Sequence, residues 1–187
     1  MGLFEIILIA IGLSMDAFAV SITLGLSVKK LQVKKVLIPG TYFGIFQAIM
    51  PLTGYFAGIR FANKIQGSDH WIAFLLLGFI GGKMIKDGFS KEEKTMDENS
   101  FRFKTMLLLA IATSIDALVV GITFAFLSVN IFEAVLIIGL TTFCISTGGV
   151  ITGRRLGAKY ELKAEFIGGA ILVLLGFKIL IEHLFFQ

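Results

Sequence analysis

The chain has 187 residues, 56% of them hydrophobic and only 16% charged, with 19 Phe and 21 Gly. Water-soluble domains carry roughly 25% charged residues, so this composition excludes a soluble globular protein. The formal net charge of +4 makes no case for a nucleic-acid partner, because in so apolar a chain Lys and Arg placement reports orientation in a bilayer.

Six apolar runs follow one another, each close to the ~20 residues that a bilayer crossing needs. They are Leu3–Val28, Val36–Ile59, His70–Phe89, Lys104–Ser128, Ile131–Gly153 and Ala164–Phe186. Backbone exposed to lipid must satisfy its own hydrogen bonds, which makes each run a helix. The ten-residue alternation of barrel strands is absent. The predicted fold class is therefore all-α, a polytopic membrane protein with six transmembrane helices.

Span 1 starts like a secretory signal. Ile6–Met15 has the length of an apolar signal core, and Ala17-Phe18-Ala19 loosely matches a cleavage site. No positive residue precedes it, and the same pattern recurs far inside the chain. Span 1 is read as a retained first helix. Its centre carries Leu13-Ser14-Met15-Asp16-Ala17-Phe18-Ala19-Val20-Ser21-Ile22-Thr23, with a carboxylate about mid-depth. An Asp at the centre of a membrane helix costs roughly 2.5–3.5 kcal/mol on insertion scales. Span 4 bears the same cost in the same setting, Thr113-Ser114-Ile115-Asp116-Ala117-Leu118-Val119-Val120-Gly121-Ile122-Thr123.

The repeat extends further. Thr53-Gly54 and Gly58 of span 2 match Thr152-Gly153 and Gly157 of span 5, and Lys83-Met84-Ile85-Lys86-Asp87 echoes Lys178-Ile179-Leu180-Ile181-Glu182. Residues 1–89 and 104–187 thus form two three-helix repeats joined by a charged linker, 90–103. An odd number of helices per repeat forces the halves to insert with opposite orientations. Inverted repeats of this kind are frequent in secondary transporters, with the site near the midplane.

Orientation follows from the joints. Lys29, Lys30, Lys34, Lys35, Lys91, Lys94, Arg102, Lys104, Arg154, Arg155, Lys159 and Lys163 share one side of the membrane, against Arg60 and Lys64 on the other. Positive residues favour the cytoplasm, so both termini are predicted outside. His70 and Trp71 fit an interfacial anchor. The linker's acids are read as solvated. Lys83 is placed near the cytoplasmic end of span 3, where a long side chain snorkels, and Lys178 is expected to pair with Glu182 one turn on.

Two mid-depth carboxylates with no Lys or Arg near them in sequence call for a cation or a shared proton. Ser14 and Ser114 stand two residues before each Asp, on another helix face, so they reach the same ion only if the helices are broken there. Otherwise they bond the preceding turn. Gln47 is expected to line the site, with Pro51 kinking span 2 and freeing a carbonyl nearby. Thr141, Thr142, Ser146 and Thr147 of span 5 read more as helix-packing groups than as ligands, Thr147 being the ligand candidate among them. Glycines four apart, Gly40/Gly44, Gly54/Gly58, Gly78/Gly82 and Gly149/Gly153, are read as sites of close helix approach. Gly82-Lys83 is not a nucleotide-binding loop, because Leu77 and Met84 occupy positions that need Gly and Ser or Thr. No nucleotide drives the protein. Cys144, the single cysteine, reads as a small buried residue. An all-oxygen set suits hard or borderline cations such as Mn²⁺, Mg²⁺ or Ca²⁺, and oxygen chemistry alone does not choose among them.

The residues Ser14-Met15-Asp16-Ala17-Phe18-Ala19, Thr113-Ser114-Ile115-Asp116-Ala117, His70-Trp71-Ile72-Ala73-Phe74 within 63–74, and Gly81-Gly82-Lys83-Met84-Ile85 carry a resemblance. The whole chain resembles the MntP-type manganese efflux family, small six-helix proteins of the lysine-exporter-like superfamily. The resemblance implies a bacterial cell-membrane exporter, not an enzyme, with Mn²⁺ as substrate, no resident cofactor, and essential roles at Asp16 and Asp116. Some members of the family carry Glu where this chain has Gln47, which leaves its site one negative charge weaker. Proton antiport is an expected coupling. The rivals are an exporter of another divalent cation or small solute, and, more remotely, an intramembrane aspartyl protease. The protease typically shows Gly-x-Gly-Asp, whereas Thr113-Ser114-Ile115 precedes Asp116.

Overall fold

A computed structural model describes residues 2–28, 32–62, 69–89, 98–127, 129–156, 166, 170–174, 176–178 and 180–181. Its elements are α1 (Leu3–Ser27), α2 (Val33–Ala62), α3 (Asp69–Phe89), a 3₁₀ turn (Glu98–Phe101), α4 (Phe103–Ala112), α5 (Ile115–Phe126) and α6 (Ile131–Leu156). Every element is helical, as apolar backbone without water requires. Among the described residues, α1, α2 and α6 are each long and apolar enough to cross a membrane. α4 and α5 are so only when taken together, bent by 42° at the break between them, the shape of a broken span or a re-entrant loop.

The bend falls at Thr113-Ser114. The Ser114 amide donates to the Ile111 carbonyl at 3.2 Å, a tightened turn, and the ladder resumes with Leu118 donating to Ser114 at 3.2 Å. α1 runs through its own Ser14-Met15-Asp16 without interruption. α2 likewise continues past Pro39 and Pro51, so Pro51 leaves the Gln47 carbonyl without its helical donor but does not end the helix.

Three interfaces dominate, α1 with α6, α2 with α6 and α2 with α5. All depend on glycine. Between α2 and α5, a Cβ on Gly54 would collide with the Leu118 carbonyl oxygen, and one on Gly121 would meet the Pro51 carbonyl and lie 2.5 Å from its Cα. Between α1 and α6, a Cβ on Gly153 would collide with the Ile22 carbonyl, and one on Gly25 with that of Val150. Backbones this close gain dispersion contacts that lipid tails cannot supply. Gly40 and Gly44 similarly meet Phe143 of α6. The pair Gly78/Gly82 departs from this pattern: a Cβ at either would meet none of the described residues within 4 Å.

One apolar core gathers Ile9 and Leu13 of α1, Leu77 and Ile80 of α3, Val120 and Phe124 of α5, Ile138 of α6, and Leu172. The described residues 170–174 and 176–178 are helical, and Phe177 meets Phe74 edge-on at 4.9 Å. Lys178 pairs with Glu5 in the first turn of α1, a partner from the far end of the chain; its expected partner Glu182 lies outside the described residues. Cys144 is exposed on α6, not buried as its apolar surroundings suggested, because those surroundings face outward. The end of the linker is docked, with Ser100 buried and Lys35 5.8 Å from the Phe101 ring centroid; residues 90–97 lie outside the described residues.

Candidate ion site

Asp16 comes from the middle of α1, and Asp116 is the second residue of α5, immediately after the break. Both line one cavity of about 100 Å³, completed by Phe79, Ile80 and Lys83 of α3, Ala112 of α4, and Ile115 and Val119 of α5. The two carboxylates repel each other, and Lys83 attracts Asp116.

The break gives Asp116 a helix N-terminal setting. Ser114 is the N-cap of α5, so Asp116 sits in the first turn, where the helix dipole favours negative charge. The Ala117 amide donates to Asp116 Oδ1 at 2.9 Å. Asp116 Oδ2 is sealed from solvent and has no hydrogen-bond partner among the described residues. A carboxylate oxygen desolvated without a partner is costly, and a cation in the cavity would answer it.

The other sequence candidates do not line this cavity. Gln47 is fully buried and donates from Nε2 to the Leu13 carbonyl at 2.9 Å, which ties α2 to α1 one turn before Asp16. Ser14 donates to the Ala10 carbonyl at 2.5 Å and shares a 2.9 Å hydrogen bond with Thr142 of α6. Ser114 donates to the Ala110 carbonyl at 2.6 Å. Thr147 lies against Gly40 of α2, its Oγ1 sealed and unpartnered. Back-bonding to the preceding turn thus occupies both serines even where the helix is broken.

Lys83 was not legible as a site residue. The absence of a nearby cation in sequence held only along the chain; packing of α3 against α5 carries Lys83 into the cavity. The available signal was the spacing of Phe79, Ile80 and Lys83, three and four residues apart on one helix face.

Membrane-length apolar helices with a pair of carboxylates in one cavity between them are those of a membrane protein with an ionisable pocket among its helices. Comparison with known proteins gives its family. A family profile described as "Mntp: Putative manganese efflux pump" matches residues 30–180. Curated relatives carry the name "Putative manganese efflux pump MntP". The one from Desulfitobacterium hafniense (strain Y51) is 54% identical over 186 residues, covering 100% of this chain and 98% of its own length. That of Mannheimia succiniciproducens is 52% identical and that of Campylobacter jejuni (strain RM1221) 54%, each over 100% of both chains. The chain belongs to this manganese efflux family, whose function is transport and not enzymatic catalysis. No solved structure matches.

Proposed function

We propose that the protein is a secondary transporter that exports Mn²⁺ from the cytoplasm across the bacterial cell membrane, holding the ion between Asp16 and Asp116. The observation that carries this reading is the single cavity lined by both carboxylates, in a chain of the manganese efflux family. Among the described residues no group of three or more His, Cys, Asp and Glu could hold a metal. Two carboxylates therefore supply the charge, and water or backbone carbonyls supply the remaining oxygens. At ~30 Å³ per water, a cavity of about 100 Å³ takes an ion with part of its hydration shell, so the ion sheds the rest on entry. Two aspartates and one lysine leave the site net negative, which favours a cation over a zwitterion. The protease reading has no support in a family of transporters.

Six spans arranged as two inverted repeats, 1–89 and 104–187, give this site its mechanism. Matching residues bond alike: Ser14 to Ala10 and Ser114 to Ala110, Thr23 to Ala19 and Thr123 to Val119. The halves differ in register. Gly54 lies against the carbonyl of Leu118, whereas its counterpart Gly153 lies against that of Ile22, the counterpart of Ile122, four residues further on. Pro51 and Val150 show the same offset, facing Gly121 and Gly25 respectively. Four residues are one helical turn, ~5.4–6 Å. Exchange of the two registers, with the break moving from α4–α5 to α1, turns an inward-facing carrier into an outward-facing one. Small residues at both rungs, Ser21 and Gly25 on α1, Gly121 and Ala125 on α5, accommodate either register. The termini lie outside, and protonation of the carboxylates from outside releases the ion and resets the carrier.

The experiment is a metal panel in proteoliposomes with Mn²⁺, Mg²⁺, Ca²⁺, Fe²⁺, Zn²⁺ and Cd²⁺. Mn²⁺ is transported in preference to Mg²⁺ and Ca²⁺. Absence of Mn²⁺ movement from protein that is folded and inserted overturns the reading.

A further inference from the structure

We propose that Lys83 is a tethered counter-cation, which neutralises part of the Asp16–Asp116 charge when the site is empty and leaves when Mn²⁺ enters. The proposal rests on the reading of the two aspartates as the ion site.

The cavity contains three charged side chains, Asp16, Asp116 and Lys83, in an otherwise apolar wall of Phe79, Ile80, Ala112, Ile115 and Val119. Such a wall strengthens every charge interaction within it. Without a cation, two carboxylates share this wall and repel each other; Lys83 offsets one of the two charges. When Mn²⁺ occupies the site, its two positive charges balance the aspartates, and a third positive charge beside it is repelled. The same lysine that stabilises the empty carrier therefore competes with the ion.

Lys83 is built to move. It is exposed where it joins the cavity rim, and lysine carries its charge as a point on a flexible four-carbon stem. The device also bears on the transport cycle. A carrier that returns empty must offset the charge of the carboxylates with protons or an external ion; with Lys83 in place it needs one positive charge fewer. Competition further keeps Mn²⁺ affinity moderate, which favours release outside.

The test uses the full chain, purified in detergent, with direct Mn²⁺ binding as the readout. Lys83→Gln and Lys83→Met remove the charge and should bind Mn²⁺ ~10-fold or more tighter than wild type, a gain that a merely structural lysine would not give. Lys83→Arg keeps the charge and should group with wild type. Proteoliposomes of the neutral variants should export more slowly, because release becomes limiting. Unchanged or weaker Mn²⁺ binding in folded Lys83→Gln, with binding lost in Asp16→Asn and Asp116→Asn, overturns the counter-cation and leaves the aspartate site standing. Binding retained in both aspartate variants overturns the underlying reading instead. Should neither neutral variant fold, the wild-type chain decides: Mn²⁺ should raise the rate at which an amine-reactive reagent modifies Lys83, read by peptide mass spectrometry, and an unchanged or lowered rate overturns the proposal.

Discussion

Gly54 of α2 lies so close to Leu118 of α5 that a methyl group on it would fall 2.9 Å from the Leu118 carbonyl carbon, with the oxygen nearer still. Backbone, not a flexible side chain, stands in the way, so the helices must separate to admit a Cβ. Gly54→Ala and Gly121→Ala should each destabilise the protein by about 1–3 kcal/mol, the usual cost of overpacking. Gly78→Ala and Gly82→Ala meet open space and should leave thermal stability in detergent unchanged or slightly raised, since Ala is the better helix former by roughly 1 kcal/mol. A melting series across the four variants checks the contrast. Equal effects at all four positions would contradict the packing described here.

The bond from Gln47 to the Leu13 carbonyl makes a second prediction. It couples α2 to α1 beside Asp16, yet Gln47 does not line the cavity. Gln47→Leu should cost about 0.5–1.5 kcal/mol, the net worth of a typical hydrogen bond, and should reduce transport by displacing α1. Gln47→Glu replaces the donor with a carboxylate that can bond that carbonyl only when protonated, so its export should fall as pH rises. Measurements of stability and of vesicle transport at two pH values separate the two substitutions.

Asp16→Asn and Asp116→Asn should each abolish manganese resistance in an export-deficient cell while the protein still reaches the membrane. Truncating one partner of a buried charge interaction costs roughly 2–5 kcal/mol, so Mn²⁺ affinity should drop by ~30-fold or more. Asp116→Glu should also lower transport, because Asp116 Oδ1 is held by the Ala117 amide and a longer side chain cannot keep that bond. Resistance retained in both Asn variants would remove the aspartates from the mechanism.

The all-helical class and the outlines of five helical regions were legible in sequence because a bilayer imposes length and hydropathy so strictly. The repeat of Ser-x-Asp-Ala pointed to two carboxylates before any packing was known. What eluded the sequence depends on tertiary contact or on small differences in turn geometry. Thr113-Ser114 breaks its helix while the nearly identical Leu13-Ser14 does not, although both serines bond the preceding turn in the same way. Gln47 looked like a ligand because amides are costly in lipid, but a buried backbone carbonyl satisfies it equally well. Lys83 and the Glu5–Lys178 pair join residues far apart in the chain, which spacing along one helix cannot reveal.

Coupling is separable from binding. If protons return as Mn²⁺ leaves, everted vesicles should accumulate Mn²⁺ faster when the interior is made acidic, and an ionophore that collapses the gradient should remove the gain. Uptake indifferent to an imposed pH gradient would exclude proton antiport while leaving the site itself untouched.

The one-turn register difference predicts a distance that changes during the cycle. In the present arrangement a Cβ on Gly149 would lie 2.8 Å from the Cβ of Ser21, whereas the exchanged register brings Ser21 opposite Gly153. In a Cys144→Ala background, Ser21→Cys with Gly149→Cys should cross-link in the state described here, since the pair lies within the reach of a disulfide after slight separation. Ser21→Cys with Gly153→Cys should cross-link only in the opposite state. Mn²⁺ should shift the yields of the two pairs in opposite directions. Either disulfide should stop transport, and a reductant should restore it. Yields that do not respond to Mn²⁺, or full transport with the first pair cross-linked, would show that the offset is a fixed feature of the fold and not the step by which the carrier alternates.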